Sequence, residues 1–213
     1  MTFDCFIFDF DGTLARSEHA YNEAFRHSIR LHTGLEVALE EMRGFWNMLP
    51  TEVLRRFSEE LLEEMMASFE EHYYANHHQH LIAYEGVPEL LDHLGSRGAQ
   101  LAVVSLKPRR AGERELDFMG LRTRFHLRVW GDDVQRPKPE PDGVLRVLDG
   151  LRADPRRALV IGDSPSDILM GRAAGVRTAA ALWGGADCER LLAEKPDFCL
   201  DSPADLIEVM RET

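Results

Sequence analysis

The sequence predicts a doubly wound α/β protein with one helical insertion. Three patterns predict it. Short, densely apolar runs stop at turn residues, helical periodicities fill the gaps between them from residue 84 onward, and residues 16–83 carry helical periodicity alone.

The first run, Phe3 to Phe10, is rich in Phe and Ile and breaks at Asp11-Gly12, as a buried strand ending in a sharp turn does. Further strands are read at Leu101 to Ser105 and Ala158 to Ile161, with fainter ones at Leu127 to Trp130, Thr178 to Leu182 and Phe198 to Leu200. Helical patterns lie between them at Pro88 to Leu94, Arg114 to Met119, Pro141 to Leu151, Ser166 to Ala174 and Cys188 to Ala193. A last helix is predicted to open at Ser202-Pro203, where serine can accept from a free amide and proline suits the first helical position. Such alternation requires right-handed crossovers and a parallel sheet covered on both faces, a Rossmann-like core built from 1–15 and 84–213.

The insertion, 16–83, begins with Ala20 to Leu31, where Tyr21, Phe25 and Ile29 recur every fourth residue until Thr33-Gly34. A second helix is expected over Glu52 to Tyr74. There Phe57, Leu61, Met65, Phe69 and Tyr73 form one packing stripe opposed by Glu59, Glu60, Glu63, Glu64, Glu70 and Glu71. An all-helical block at this point in the chain would make a small cap over the carboxyl edge of the sheet, where open α/β sheets bind ligands, and is expected to act as a lid returning at Glu85-Gly86.

Composition narrows the function. The chain has 213 residues and a net charge of −12, from 25 Lys+Arg against 37 Asp+Glu, which opposes a polyanion, so no nucleic-acid partner is expected. Cys5, Cys188 and Cys199 are scattered and lack paired ligand spacing, as thiols of a reducing compartment are. The opening MTFDCFIFDFDGT has no basic segment before its apolar run and does not read as a secretory signal. No run approaches the roughly 18 apolar residues that cross a bilayer. The expectation is a cytoplasmic protein, monomer or homodimer, with no membrane partner.

Four clusters should converge at the carboxyl ends of the strands. They are Asp9-Phe10-Asp11-Gly12-Thr13; Ser105 with Leu106 and Lys107; Lys138 within Arg136-Pro137-Lys138-Pro139, where the prolines fix an extended loop; and Gly162-Asp163-Ser164-Pro165-Ser166-Asp167. Taken singly, each has a plain structural reading: Asp-x-Asp-Gly is turn chemistry, Ser105 ends a strand, and Lys138 would face solvent. Taken together, they supply a nucleophile, carboxylates that repel unless a hard cation sits among them, donors for phosphoryl oxygens and a proton donor. Lys107 reads equally well as a surface side chain. His77, His78 and His80 are too irregularly spaced for a metal and are read as packed or exposed.

On DFDGT, the intervening Ser105 and Lys138, and GDSPSD, the chain resembles the haloacid dehalogenase-like hydrolases, in the phosphoglycolate phosphatase-like branch with a helical cap. The resemblance implies a magnesium-dependent phosphatase that hydrolyses a small phosphomonoester, a small phosphorylated metabolite of the phosphoglycolate kind, through an aspartyl-phosphate. It implies Asp9 as nucleophile and metal ligand, Asp11 as general acid and then base with its carbonyl on the metal, Asp163 as a Mg²⁺ ligand, and Asp167 as ligand or support. The phosphoryl group would be held by Gly12, Thr13, Ser105, Leu106 and Lys138, with Arg43 reaching substrate from the cap beside Gly44, Phe45 and Trp46. Dehalogenases of this family lack the second aspartate, so Asp11 favours phosphate chemistry. Many members carry an acidic residue and serine where Arg16-Ser17 stands, and substrate identity is left open. Inorganic pyrophosphatase and sugar phosphomutase are the alternatives within the family. An inactive phosphometabolite-binding module is the alternative outside catalysis.

Overall fold

In a computed structural model of the chain, residues 3–45, 48–184 and 188–212 are described. The elements run β1 (Cys5–Phe8), β2 (Ala15–Arg16), α1 (Glu18–Thr33), α2 (Leu39–Met42), α3 (Pro50–Arg55), α4 (Leu62–Asn76), β3 (Ile82–Ala83), α5 (Val87–Ser96), β4 (Gln100–Val104), α6 (Arg109–Phe118), β5 (Leu127–Val129), α7 (Asp142–Leu151), β6 (Ala158–Gly162), α8 (Pro165–Ala173), β7 (Arg177–Ala181), α9 (Cys188–Ala193), β8 (Phe198–Leu200) and α10 (Asp205–Glu212). The chain divides into two compact units, Met1–Ala15 with Ala83–Thr213, and Arg16–Ile82. It passes between them at β2 and β3, which pair as a two-stranded sheet.

The first unit is the α/β fold the sequence predicts. Its six strands lie in the order β5-β4-β1-β6-β7-β8, all parallel. The strands are buried apolar runs, because a parallel sheet is covered on both faces. Successive residues of β1 alternate between those faces. Cys5 and Ile7 join a core with Val104, Val144, Val147, Leu148, Val160 and Met170 under α7 and α8, while Phe8 on the other face meets Phe125 edge-on at 6.4 Å. From β1 the chain moves outward to β4 and β5, then returns to lay β6 on the opposite side of β1. That reversal makes the carboxyl end of β1 and β6 the crevice in which open sheets of this kind bind ligands. The register sets what emerges there. Phe8 lies opposite both Val103 and Ile161, and the Asp9 amide donates to the Ile161 carbonyl at 2.8 Å.

The second unit is helical. In α1, Ala20, Ala24, Phe25 and Ile29 are buried, and in α4 so are Met65, Phe69 and Tyr73, each set recurring at helical spacing. Phe25 stacks on Phe69 at 4.6 Å, and the Ser28 hydroxyl donates to the Met65 carbonyl across the two helices. The continuous helix expected over Glu52 to Tyr74 is broken. The chain leaves α3 at Arg55 and re-enters a helix at Leu62, and Ser58 accepts from the Leu61 amide through its hydroxyl, a local bond that competes with helix propagation. Phe57 and Leu61 still pack on the same cluster, but from the connection. The final helix also starts later than expected, at Asp205, whose carboxylate accepts from the amides of Asp201 and Ser202. The histidines pack: His77 is buried and bonded to the Tyr73 carbonyl, and His80 meets His19 edge-on. Among the described residues, no helix is long and apolar enough to cross a membrane.

Candidate active site

The site grows from the turn after β1. The Phe10 carbonyl accepts from the amides of Thr13, Leu14 and Ala15, curling the chain back at once. Gly12 makes this possible at φ +80°, and a Cβ there would stand 2.2 Å from the Asp163 carboxylate. Only glycine satisfies both the left-handed backbone and the close approach. The buried Thr13 hydroxyl donates to Asp163 Oδ1 at 3.2 Å, tying the first turn to the one after β6.

Behind Asp163 the chain enters α8 through Ser164, with Pro165 in the first turn and Asp167 as the third helical residue. The Ser164 amide and hydroxyl donate to Asp167 Oδ2 at 3.1 and 2.6 Å. The other oxygen, Oδ1, accepts from Lys138 at 2.5 Å, and Lys138 also donates to Asp9 Oδ1 at 2.6 Å. The loop that carries Lys138 is closed by an ion pair between Arg136 and Asp142 at 2.8 Å.

One carboxylate oxygen from each of Asp9, Asp163 and Asp167 lies within 4.8 Å of the others, all three residues buried. Three buried carboxylates against the single ammonium of Lys138 leave an excess of two negative charges when all are ionised. Burial pushes the Asp9 carboxyl up to about 7, the Asp167 charge adds to that, and Lys138 offsets part of it. Burial alone would pull Lys138 down, but Asp167 and Asp9 outweigh it and the ammonium is held charged. An all-oxygen cluster with this charge excess fits a hard divalent cation. Among the described residues, this is the one grouping of at least three acidic, histidine or cysteine side chains that meets around a single point.

The remaining predicted positions fall at the same sheet edge. Ser105 follows β4, buried, two residues beyond the Phe8–Val103 pair, and its hydroxyl accepts from the Lys107 amide at 3.3 Å. The Leu106 carbonyl packs against Gly131, where a Cβ would come within 2.3 Å. Asp11, partly exposed, pairs with Lys107 at 3.0 Å. Lys107 is therefore buried rather than on the surface. The side chain of Arg43, and Trp46 entirely, lie outside the described residues.

Sequence reading missed three residues at or beneath this edge. Gly184 comes so close that a Cβ would meet the Gly12 carbonyl at 2.2 Å and Asp163 at 2.7 Å. Beside it, Trp183 donates its indole N–H to the Thr13 carbonyl at 2.9 Å. The third is Glu115, fully buried against Lys107 at 2.6 Å. Its signal was an acidic residue on the face of α6 that Ala111, Gly112 and Leu116 bury.

Comparison with known proteins supplies the family. The family model described as haloacid dehalogenase-like hydrolase matches residues 6–181. The chain belongs to the haloacid dehalogenase-like hydrolases. As such a hydrolase it is an enzyme, and it is similar over nearly its whole length to members with assigned names. It is 35% identical to a phosphoglycolate phosphatase of Aquifex aeolicus, covering 96% of this chain and 95% of that one. It is 31% identical to the pyrophosphatase PpaX of Bacillus cereus, covering 99% and 97%. A haloacid dehalogenase-like family protein of Streptococcus pneumoniae shares the fold with a TM-score of 0.87 over 97% of this chain and 98% of that one, at 21% identity.

Proposed function

We propose that this hydrolase is a magnesium-dependent phosphatase acting on a small phosphomonoester through an aspartyl-phosphate on Asp9. The observation that carries the reading is the meeting of Asp9, Asp163 and Asp167 within 4.8 Å, with Lys138 bonded to Asp9. Asp9 and Asp163, with the Asp11 carbonyl and with Asp167 as ligand or support, would hold Mg²⁺, which when bound offsets negative charge on these carboxylates and on the phosphoryl oxygens.

The chain's own groups account for the rest. A carboxylate oxygen of Asp9 forms a bond to phosphorus while the bond from phosphorus to the leaving oxygen breaks. The leaving oxygen keeps the electron pair and takes a proton from Asp11. Asp11 then removes a proton from water as that water attacks phosphorus, and the Asp9–phosphorus bond breaks with its electrons returning to the carboxylate. Lys138 and the Ser105 hydroxyl hold the phosphoryl oxygens, and the amide of Gly12 and Thr13 set the turn beneath them.

The substrate is a small anionic metabolite of the phosphoglycolate kind, in keeping with the Aquifex relative, and the net charge of −12 speaks against nucleic acid. The free cysteines and the lack of a membrane-crossing helix among the described residues support a cytoplasmic setting. Inorganic pyrophosphate is the second reading, favoured by the likeness to the Bacillus pyrophosphatase across the whole chain. Phosphate release from a panel of metabolite phosphates and pyrophosphate, with Mg²⁺ and with chelator, tests both readings. Magnesium-dependent release from a phosphomonoester supports the first, and release from pyrophosphate alone supports the second. No release from any of them contradicts both.

A further inference from the structure

The reaction above needs Lys138 but leaves a second buried lysine unused. Lys107 is 1% exposed, and its ammonium lies 2.6 Å from Glu115 Oε2 and 3.0 Å from Asp11 Oδ1, with the Phe10 ring centroid 5.0 Å away. Its backbone is fixed on both sides: the amide donates to the Ser105 hydroxyl, and the carbonyl accepts from Gly131. Burying a lysine and a glutamate costs several kcal/mol per ion before pairing, and an apolar pair of similar volume usually serves stability as well. The exposure of the three charges is graded: Glu115 0%, Lys107 1%, Asp11 21%. The chain of charges therefore starts in the core under α6 and ends at the crevice.

Resting on the reading of Asp11 as the proton donor, we propose that Lys107 is a positioning residue, anchored by Glu115, that holds the Asp11 carboxyl where it meets the leaving oxygen. Asp11 stands beside a glycine turn, partly exposed at the crevice, and a donor turned away from the leaving oxygen contributes nothing. The ammonium fixes Oδ1 by a directed bond. Glu115, the shorter contact, offsets the ammonium's charge, so the direction is imposed without an uncompensated cation beside the donor. The same segment, Ser105 to Lys107, reaches the phosphate side. Because Ser105 Oγ already accepts from the Lys107 amide, its hydroxyl hydrogen points elsewhere, available to a phosphoryl oxygen.

Leaving-group dependence separates positioning from mere folding. An activated aryl phosphate departs without a proton, whereas an alkyl phosphate requires one. The value of kcat/KM reports phosphoryl transfer to Asp9 and excludes the later hydrolysis. For Lys107→Met, the loss in kcat/KM should be about 100-fold greater with glycerol phosphate than with 2,4-dinitrophenyl phosphate, the scale of a misplaced general acid. Asp11→Asn should show the same bias, and Lys107→Met should add little to it. Since Lys107→Met strands a buried carboxylate, Lys107→Met/Glu115→Leu removes both charges and serves if the single variant does not fold. Equal losses on the two esters, or no loss, would overturn the proposal. If the unaltered enzyme hydrolyses neither ester with Mg²⁺, the phosphatase reading itself fails.

Discussion

Two lysines in this molecule do the same thing in different company. Lys138 bridges Asp9 and Asp167 at 2.6 and 2.5 Å, and both partners belong to the acidic cluster. Lys107 bridges Asp11 and Glu115 at 3.0 and 2.6 Å, and only the first lies at the crevice. The first bridge reduces the charge excess of the acidic cluster, where the proposed function would bind a cation and a phosphate. The second carries its own counter-charge and so can only direct. An ion pair's role follows from what its partners face, not from its length.

Removing each ammonium in turn should give two different patterns of loss. Lys138→Met should lower kcat/KM by about 1,000-fold, the scale of losing a charged group from transition-state stabilisation, and to the same degree for aryl and alkyl phosphates. The Lys107 variant should instead discriminate between them. If Lys138→Met also shows the leaving-group bias, the division of labour between the two bridges is wrong.

A smaller effect tests the charge excess itself. With chelator present, the Asp9 carboxyl titrates near 7 in the folded chain, well above its ordinary value near 4. A carboxyl raised by the fold costs nothing at low pH. The cost grows as pH climbs between those two values and stays constant above the higher one. Asp9→Asn should therefore be more stable than the unaltered chain at pH 8 without divalent ions, by about 1–3 kcal/mol in urea denaturation, and the two should converge near pH 4. Excess Mg²⁺ should stabilise the unaltered chain more than the variant, by mass action on the folded state. An Asn variant less stable at pH 8 in chelator would show that Lys138 fully compensates the cluster.

The α/β unit was legible in the sequence because buried parallel strands are continuous apolar runs: Leu101–Val104 and Ala158–Ile161 each carry an unbroken apolar signal. The ends were less so, since Leu182 and Trp130 are as apolar as the strands they follow, yet Leu182 opens a short 3-10 helix and Trp130 is the extended residue that precedes another. In the helical unit the every-fourth-residue stripe from Phe57 to Tyr73 concealed a break, because apolar residues in a connection can pack on the same core as those in a helix. At the site, the aspartates and Lys138 stood out through the glycines and prolines around them, and the structure brings Asp9, Asp163, Asp167 and Lys138 together. Glu115 showed only as an acidic residue on the buried face of α6, and Gly184 only as one of two adjacent glycines, with nothing to name the partners of either. Their significance arises from residues eight positions away and from a different loop, distances at which a one-dimensional pattern says nothing about contact.

In the proposed reaction Asp9 carries the phosphoryl group. Quenching turnover of a ³²P-labelled phosphomonoester in acid, with Mg²⁺ present, should leave label on the chain that hydroxylamine removes and that maps to the peptide containing Asp9, and Asp9→Asn should retain none. Full turnover in Asp9→Asn, or label mapping to any other residue, would contradict it.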